Sequence, residues 1–87
     1  MTEPVDLPIE DTIDLHAFQP GEIADLVQEY LYQVLRKGYR EVRIIHGRGI
    51  GVQRAIVRSL LEKHAQVIEF HDAWDRGSTI VTLKPNE

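Results

Sequence analysis

Cysteine is absent from this 87-residue chain, which excludes a disulfide framework and any thiolate-held metal. A domain of this length buries roughly 60–65% of its unfolded surface, so it holds one modest core and no large enclosed cavity. Long apolar runs are also missing: none approaches the ~20 residues that cross a bilayer, and no membrane partner is expected. The opening segment Met1-Thr2-Glu3-Pro4-Val5-Asp6 is acidic and has no apolar stretch behind it. It does not read as a signal peptide, and a cytoplasmic protein is expected. Positive charge is missing from the first 35 residues, which carry eight acids and no Lys or Arg.

The net charge of −4 conceals that asymmetry. Residues 36–64 hold Arg36, Lys37, Arg40, Arg43, Arg48, Arg54, Arg58 and Lys63 against Glu41 and Glu62. This basic middle is where an anionic partner would bind; the plainer reading is a set of solvated helix and strand faces.

What is present is one arrangement used twice, a short apolar strand that ends in histidine and runs into a turn before a helix. The first copy is Thr12-Ile13-Asp14-Leu15-His16, followed by Pro20-Gly21. The second is Val42-Arg43-Ile44-Ile45-His46-Gly47-Arg48-Gly49. Residues 1–11, with Pro4, Pro8 and scattered acids, read as an acidic, loosely ordered extension. Strands are expected at 12–16 and 42–46. Ile23, Leu26, Val27, Tyr30, Leu31, Val34 and Leu35 recur with helical spacing after Pro20, and Gly38 stops that helix. A second helix is expected over about 51–63, with Val52, Ala55, Ile56, Ser59 and Leu60 on one side and Val57 and Leu61 broadening the apolar face. Alternation marks strands at 66–71 and 78–84, joined as a hairpin through Asp72–Gly77. The order βαβαββ predicts an α/β fold of two layers, a four-stranded mixed sheet with both helices on one face. A crossover through the first helix makes the first two strands parallel.

Strand C-terminal ends are where open α/β sheets gather ligands. Asp14 and His16, two apart on a strand, share a face, and a carboxylate beside an imidazole orients it for proton transfer. A histidine that merely marks the edge of the core is the plainer reading. In His46-Gly47-Arg48-Gly49-Ile50-Gly51, three glycines allow a tight turn into a helix N-terminus, where free amides favour an anion, and Arg48 adds a bidentate donor. Glycines that serve geometry alone are the alternative. The segment is neither a Walker loop nor a dinucleotide fingerprint, so no nucleotide cofactor is expected. Arg54 and Arg58 are i, i+4 and could continue the ridge from Arg48 along a phosphate backbone. Trp74 and Arg76 lie in the last loop. The indole is expected to pack over the core edge, as a lone tryptophan in a small domain commonly does; stacking on an unpaired base is the alternative. No cluster has structural-metal spacing. Asp14 and His16, with other histidines gathered by the fold, could hold a catalytic Mg²⁺ or Mn²⁺.

Asp14-Leu15-His16, His46-Gly47-Arg48-Gly49 and the closing Gly77-Ser78-Thr79-Ile80-Val81-Thr82-Leu83, in this order and spacing, resemble the Smr (small MutS-related) domain over about residues 12–84. The resemblance implies a fold like the C-terminal domain of translation initiation factor three, with 85–87 as a tail. It implies action on nucleic acids, as an endonuclease that nicks or cleaves DNA or RNA, in DNA repair or ribosome rescue, or as a binding module. It places Asp14 and His16 in a cleavage motif, His46, Gly47 and Gly49 in a second motif, and Gly77 and Thr79 in a third. The chain departs from the pattern at Ala17, where glycine is common, and at Asp75-Arg76-Gly77, where paired glycines are common. No Walker loop or coiled-coil segment accompanies these motifs, which fits a stand-alone Smr protein or an excised domain.

The mechanism expected from this reading is phosphodiester cleavage. Arg48 and the Gly47–Gly51 amides hold the phosphate, His16 is the general base, His46 the general acid, and Asp14 orients an imidazole. The swapped histidine assignment fits nearly as well. RNA is slightly favoured over DNA because its 2′-OH permits cleavage without a metal. A non-catalytic nucleic-acid-binding module on the same ridge, and an interaction domain of a ribosome or repair complex using the acidic helix, are the competing readings.

Overall fold

In the computed structural model, which describes residues 10–47 and 51–85, the chain forms six elements. They are β1 (Thr12–Asp14), α1 (Pro20–Arg36), β2 (Glu41–Ile45), α2 (Val52–Lys63), β3 (Val67–Asp72) and β4 (Ser78–Leu83). The sheet order is β1-β2-β4-β3, with β1 parallel to β2 and β4 antiparallel to both of its neighbours. The expected βαβαββ mixed sheet is therefore present. The insertion of β4 between β2 and β3 is a tertiary fact that periodicity does not express.

Helix α1 begins where Pro20 supplies a helical φ, and the side chain of Glu22 reaches back to accept the Gln19 amide at 2.9 Å. Its buried stripe is Ile23, Val27, Tyr30, Leu31 and Val34. It ends at Gly38, whose φ of 85° lets its amide reach Leu35 O while Tyr39 N returns to Val34 O. Helix α2 buries a narrower stripe than expected: Val57 and Leu61 are fully packed, whereas Val52 and Ala55 face outward.

Alternation along the central strands decides the layers. Val42, Ile44, Thr79, Val81 and Leu83 are buried, while Arg43, Ile45, Ile80 and Thr82 between them are only half-buried. The buried side chains of both helices join one cluster with Val42, Ile44, Val81 and Leu83, so both helices lie on the same face. Among the described residues, no helix is long and apolar enough to cross a membrane.

The bounds of β2, β3 and β4 shift from the sequence reading by one residue, and two larger differences have identifiable reasons. Strand β1 stops at Asp14 because, after Leu15 N reaches Ile45 O at 2.7 Å, the chain folds into a local turn in which the Asp14 carboxylate accepts the His16 amide at 3.0 Å. The turn closes as Phe18 N reaches Leu15 O at 3.0 Å. The extension read as loose lies in large part outside the described residues, but its last two residues are anchored. Glu10 O accepts the Tyr30 hydroxyl at 2.7 Å and Asp11 O accepts Arg43 N at 2.8 Å. Burial pushes the Tyr30 phenol above its ordinary value.

Leu31, with no exposed surface, sits at the centre of the α1 stripe. Leu31→Ala should cost about 2–5 kcal/mol, seen as a lowered urea midpoint with an unchanged slope.

Candidate functional site

The turn that ends β1 leaves Asp14 and His16 side by side at the C-terminal edge of the sheet. His16 Nδ1 lies 2.5 Å from Asp14 Oδ1, and the two side chains are 65% and 50% exposed. The same carboxylate takes the His16 backbone amide. These two hydrogen bonds, side-chain first, hold the Asp14 carboxyl below the usual carboxylate range. An ionised carboxylate can only accept, so Nδ1 carries the proton and Nε2 presents its lone pair to solvent.

The second motif lies beside the first, where Leu15 N reaches Ile45 O at 2.7 Å. Gly47 has φ of 90°, and a Cβ placed there would stand 3.5 Å from His16 Cβ. The amides of His46 and Gly47 both donate to Gly77 O, at 3.0 and 2.9 Å. Thus β1, the turn after β2 and the loop before β4 converge on one rim.

His46 itself turns inward. It continues the Val42–Ile44 face and is 3% exposed. Its Nδ1 lies 3.0 Å from Gly47 O, which can only accept, so Nδ1 donates; Nε2 then accepts the Thr79 hydroxyl at 2.9 Å. Both ring nitrogens are engaged and buried, so His46 stands apart from the exposed rim where a general acid was expected. Thr79, fully buried, and Gly77, buried with its carbonyl doubly used, are likewise inaccessible to a nucleic acid. Gly47, expected to offer its amide to a phosphate, has spent it on Gly77. Arg48 and Gly49 lie outside the described residues. Gly51 caps α2 in the left-handed region at φ 91° and is exposed, in the position expected of an anion-facing helix start.

The expected basic ridge is largely paired. Arg54 binds Asp72 through Nε at 3.1 Å and Nη2 at 2.5 Å. Arg58 Nη1 approaches the same carboxylate at 3.5 Å while its guanidinium covers the Phe70 ring. Arg54 holds the Asp72 carboxyl below its ordinary value. The loop residue Asp75 pairs with Arg43 at 3.6 Å and accepts Gly77 N and Ser78 Oγ. Sequence reasoning missed Asp72 and Asp75 as organisers. An Asp two residues before a Gly was the turn signal available for Asp75; Asp72 had none, since its partners come from another element. Trp74 does not pack over the core edge: it is 90% exposed, beside exposed Arg76.

The family model of the Smr domain matches residues 13–84. Endonuclease MutS2 of Gemmatimonas aurantiaca is 36% identical over 72 residues, covering 82% of this chain and 9% of that protein. Endonuclease MutS2 of Caldicellulosiruptor saccharolyticus is 36% identical over 83 residues, covering 86% of this chain and 10% of that protein. The chain therefore spans about a tenth of the length of these relatives. The crystal structure of the Smr domain of Thermus thermophilus MutS2 superposes with a TM-score of 0.81 at 29% identity, covering 85% of this chain and 98% of that one. YdaL, a stand-alone small MutS-related protein from Escherichia coli, gives a TM-score of 0.82 at 25% identity, covering 88% of this chain and 66% of that one.

Two outcomes follow from the hydrogen bonds. Thr79→Val removes the donor to His46 Nε2 and leaves a buried acceptor unpaired, which should cost about 1–3 kcal/mol in urea unfolding. Asp14, depressed in the folded state, contributes stability above the unfolded carboxylate range and loses it as pH falls through the folded value. His16→Ala should raise the Asp14 carboxyl toward its ordinary value in an NMR pH titration and shrink that acid-side loss.

Proposed function

The chain belongs to the Smr domain family, and from that premise we propose that it is an endonuclease cleaving phosphodiester bonds in RNA or DNA. The observation that carries this reading is the exposed Asp14–His16 pair, with Asp14 bonded to Nδ1 and Nε2 left toward solvent. A carboxylate that fixes the tautomer and steadies the imidazolium is what a histidine general base requires. His16 Nε2 takes the proton from water or, in RNA, from the ribose 2′-OH. The oxygen so activated attacks phosphorus, and the leaving oxygen takes a proton from solvent. RNA is favoured slightly, because its nucleophile is built into the substrate. The start of α2, exposed at Gly51 and joined to the turn after β1 where Gln53 Nε2 donates to Phe18 O, adds the dipole of a 12-residue helix that favours a phosphate.

Mg²⁺ or Mn²⁺ was a further expectation. Among the described residues no three His, Asp or Glu side chains form a set that could hold an ion. Asp14 Oδ1 is already engaged by His16. Among the described residues, then, Asp14 and His16 are not joined by a third ligand, and the proton transfer to His16 Nε2 needs none.

The test compares wild type, His16→Ala and Asp14→Ala on structured RNA and supercoiled DNA, with and without EDTA. A lost general base should slow cleavage about 10²–10⁴-fold in His16→Ala, and losing Asp14 should also slow it. Both positions are exposed, so the circular dichroism spectrum should not change. Equal rates for wild type and His16→Ala, or no cleavage by wild type, would overturn the reading.

A further inference from the structure

We infer that Trp74 is a stacking platform for an unpaired nucleobase beside the phosphodiester at His16, so that the substrate is nucleic acid that is single-stranded or locally unpaired there. The inference rests on the endonuclease reading and names its substrate class.

The indole is 90% exposed, well beyond the other exposed large apolar side chains, Phe18, Tyr32, Val52 and Ile68, at 41–54%. Its display is not slack in the loop. Arg76 N reaches Ala73 O at 3.0 Å and Ala73 N reaches Ser78 O at 2.9 Å, closing a tight turn with Trp74 at its second position. Asp75 fastens the turn from within, accepting Gly77 N at 2.9 Å and Ser78 Oγ at 3.3 Å and pairing with Arg43. Arg76 is held at φ 61°, a left-handed conformation that a long side chain seldom adopts, so the surrounding bonds over-determine the loop. Ala73 and Gly77, at the base of the loop, are buried. A large ring pushed into water by a rigid loop is a contact surface rather than a by-product of packing.

Position selects the partner. The Gly77 carbonyl binds the His46 and Gly47 amides, and Gly47 abuts His16. At most about 11 Å of chain separates Gly77 from Trp74. The loop that displays the indole is thus fastened to the turn behind the general base. Composition selects further. The indole's loop neighbours are Ala73, Asp75, Arg76 and Gly77, with no second large apolar side chain to build the desolvated patch of a protein hot spot. A lone flat ring next to an exposed arginine matches a base and its phosphate. The nearby acids do not stand bare against that phosphate: Asp75 pairs with Arg43, and Asp72 with Arg54 and Arg58.

Trp74 is the single tryptophan, so its own emission reports the contact. The wild type is titrated with a short single-stranded RNA and DNA and with blunt duplexes of the same sequence. Single strands should quench the emission saturably, and duplexes should not. Trp74→Ala should weaken single-strand binding about 5- to 150-fold, and Trp74→Phe should restore most of it. Single strands that bind with unchanged emission, or bind Trp74→Ala as tightly as wild type, would overturn the stacking role and leave the endonuclease reading intact. The indole would then serve another partner, such as a protein. Failure of the wild type to bind or cleave any of these nucleic acids would overturn the endonuclease reading, and the stacking role with it.

Discussion

One carbonyl organises the functional edge of this domain. Gly77 O accepts the amides of both His46 and Gly47, and so ties the β3–β4 loop to the turn leaving β2. The turn leaving β1 lies against the same point, since Leu15 N reaches Ile45 O at 2.7 Å and a Cβ on Gly47 would stand in ordinary contact with His16 Cβ. Three segments far apart in sequence are thereby fixed to one another by backbone. Such bonds resist substitution, because no single side chain supplies them. The left-handed φ values of Gly47 and Arg76 are what this convergence requires of the chain.

Burial gives the two histidines different surroundings. His16 stands beyond the end of β1, in a turn where the Asp14 carboxylate takes its amide, and its ring is mostly exposed. His46 continues the inward face of β2 and closes its hydrogen bonds on Thr79 and Gly47. A buried ring with both nitrogens satisfied is strongly held in place and chemically quiet. The repeated strand-histidine-turn pattern therefore builds one exposed imidazole beside a carboxylate and one buried imidazole bonded to the turn that follows it.

Charge follows the same division. Arg54, Arg58 and Arg43 lie in the basic middle of the sequence, yet each faces a carboxylate brought by β3 or the loop after it. The acids of the C-terminal third neutralise part of that ridge and stiffen the loop that presents Trp74. The net charge of the chain says little about the field at the site, because pairing, not composition, decides which guanidinium groups remain available.

The fold was legible in residue spacing because helix and strand periods are local. The stripe from Ile23 to Leu35, the stop at Gly38 and the alternation from Ser78 to Leu83 need no distant partner to be read. The pairing of Asp14 with His16 was legible for the same reason, two residues apart on one strand. Burial of His46, Thr79 and Gly77 was not, since a residue's depth depends on what the other strands and helices place over it. Nor was the exposure of Trp74, which follows from hydrogen bonds made by its neighbours rather than from the indole itself. The amino-acid order by itself determined the six elements and the carboxylate–imidazole pair, because short-range periodicity and spacing encode them. The order of strands in the sheet, and which of the marked residues can reach a ligand, were decided only when long-range backbone bonds and packing brought the segments together.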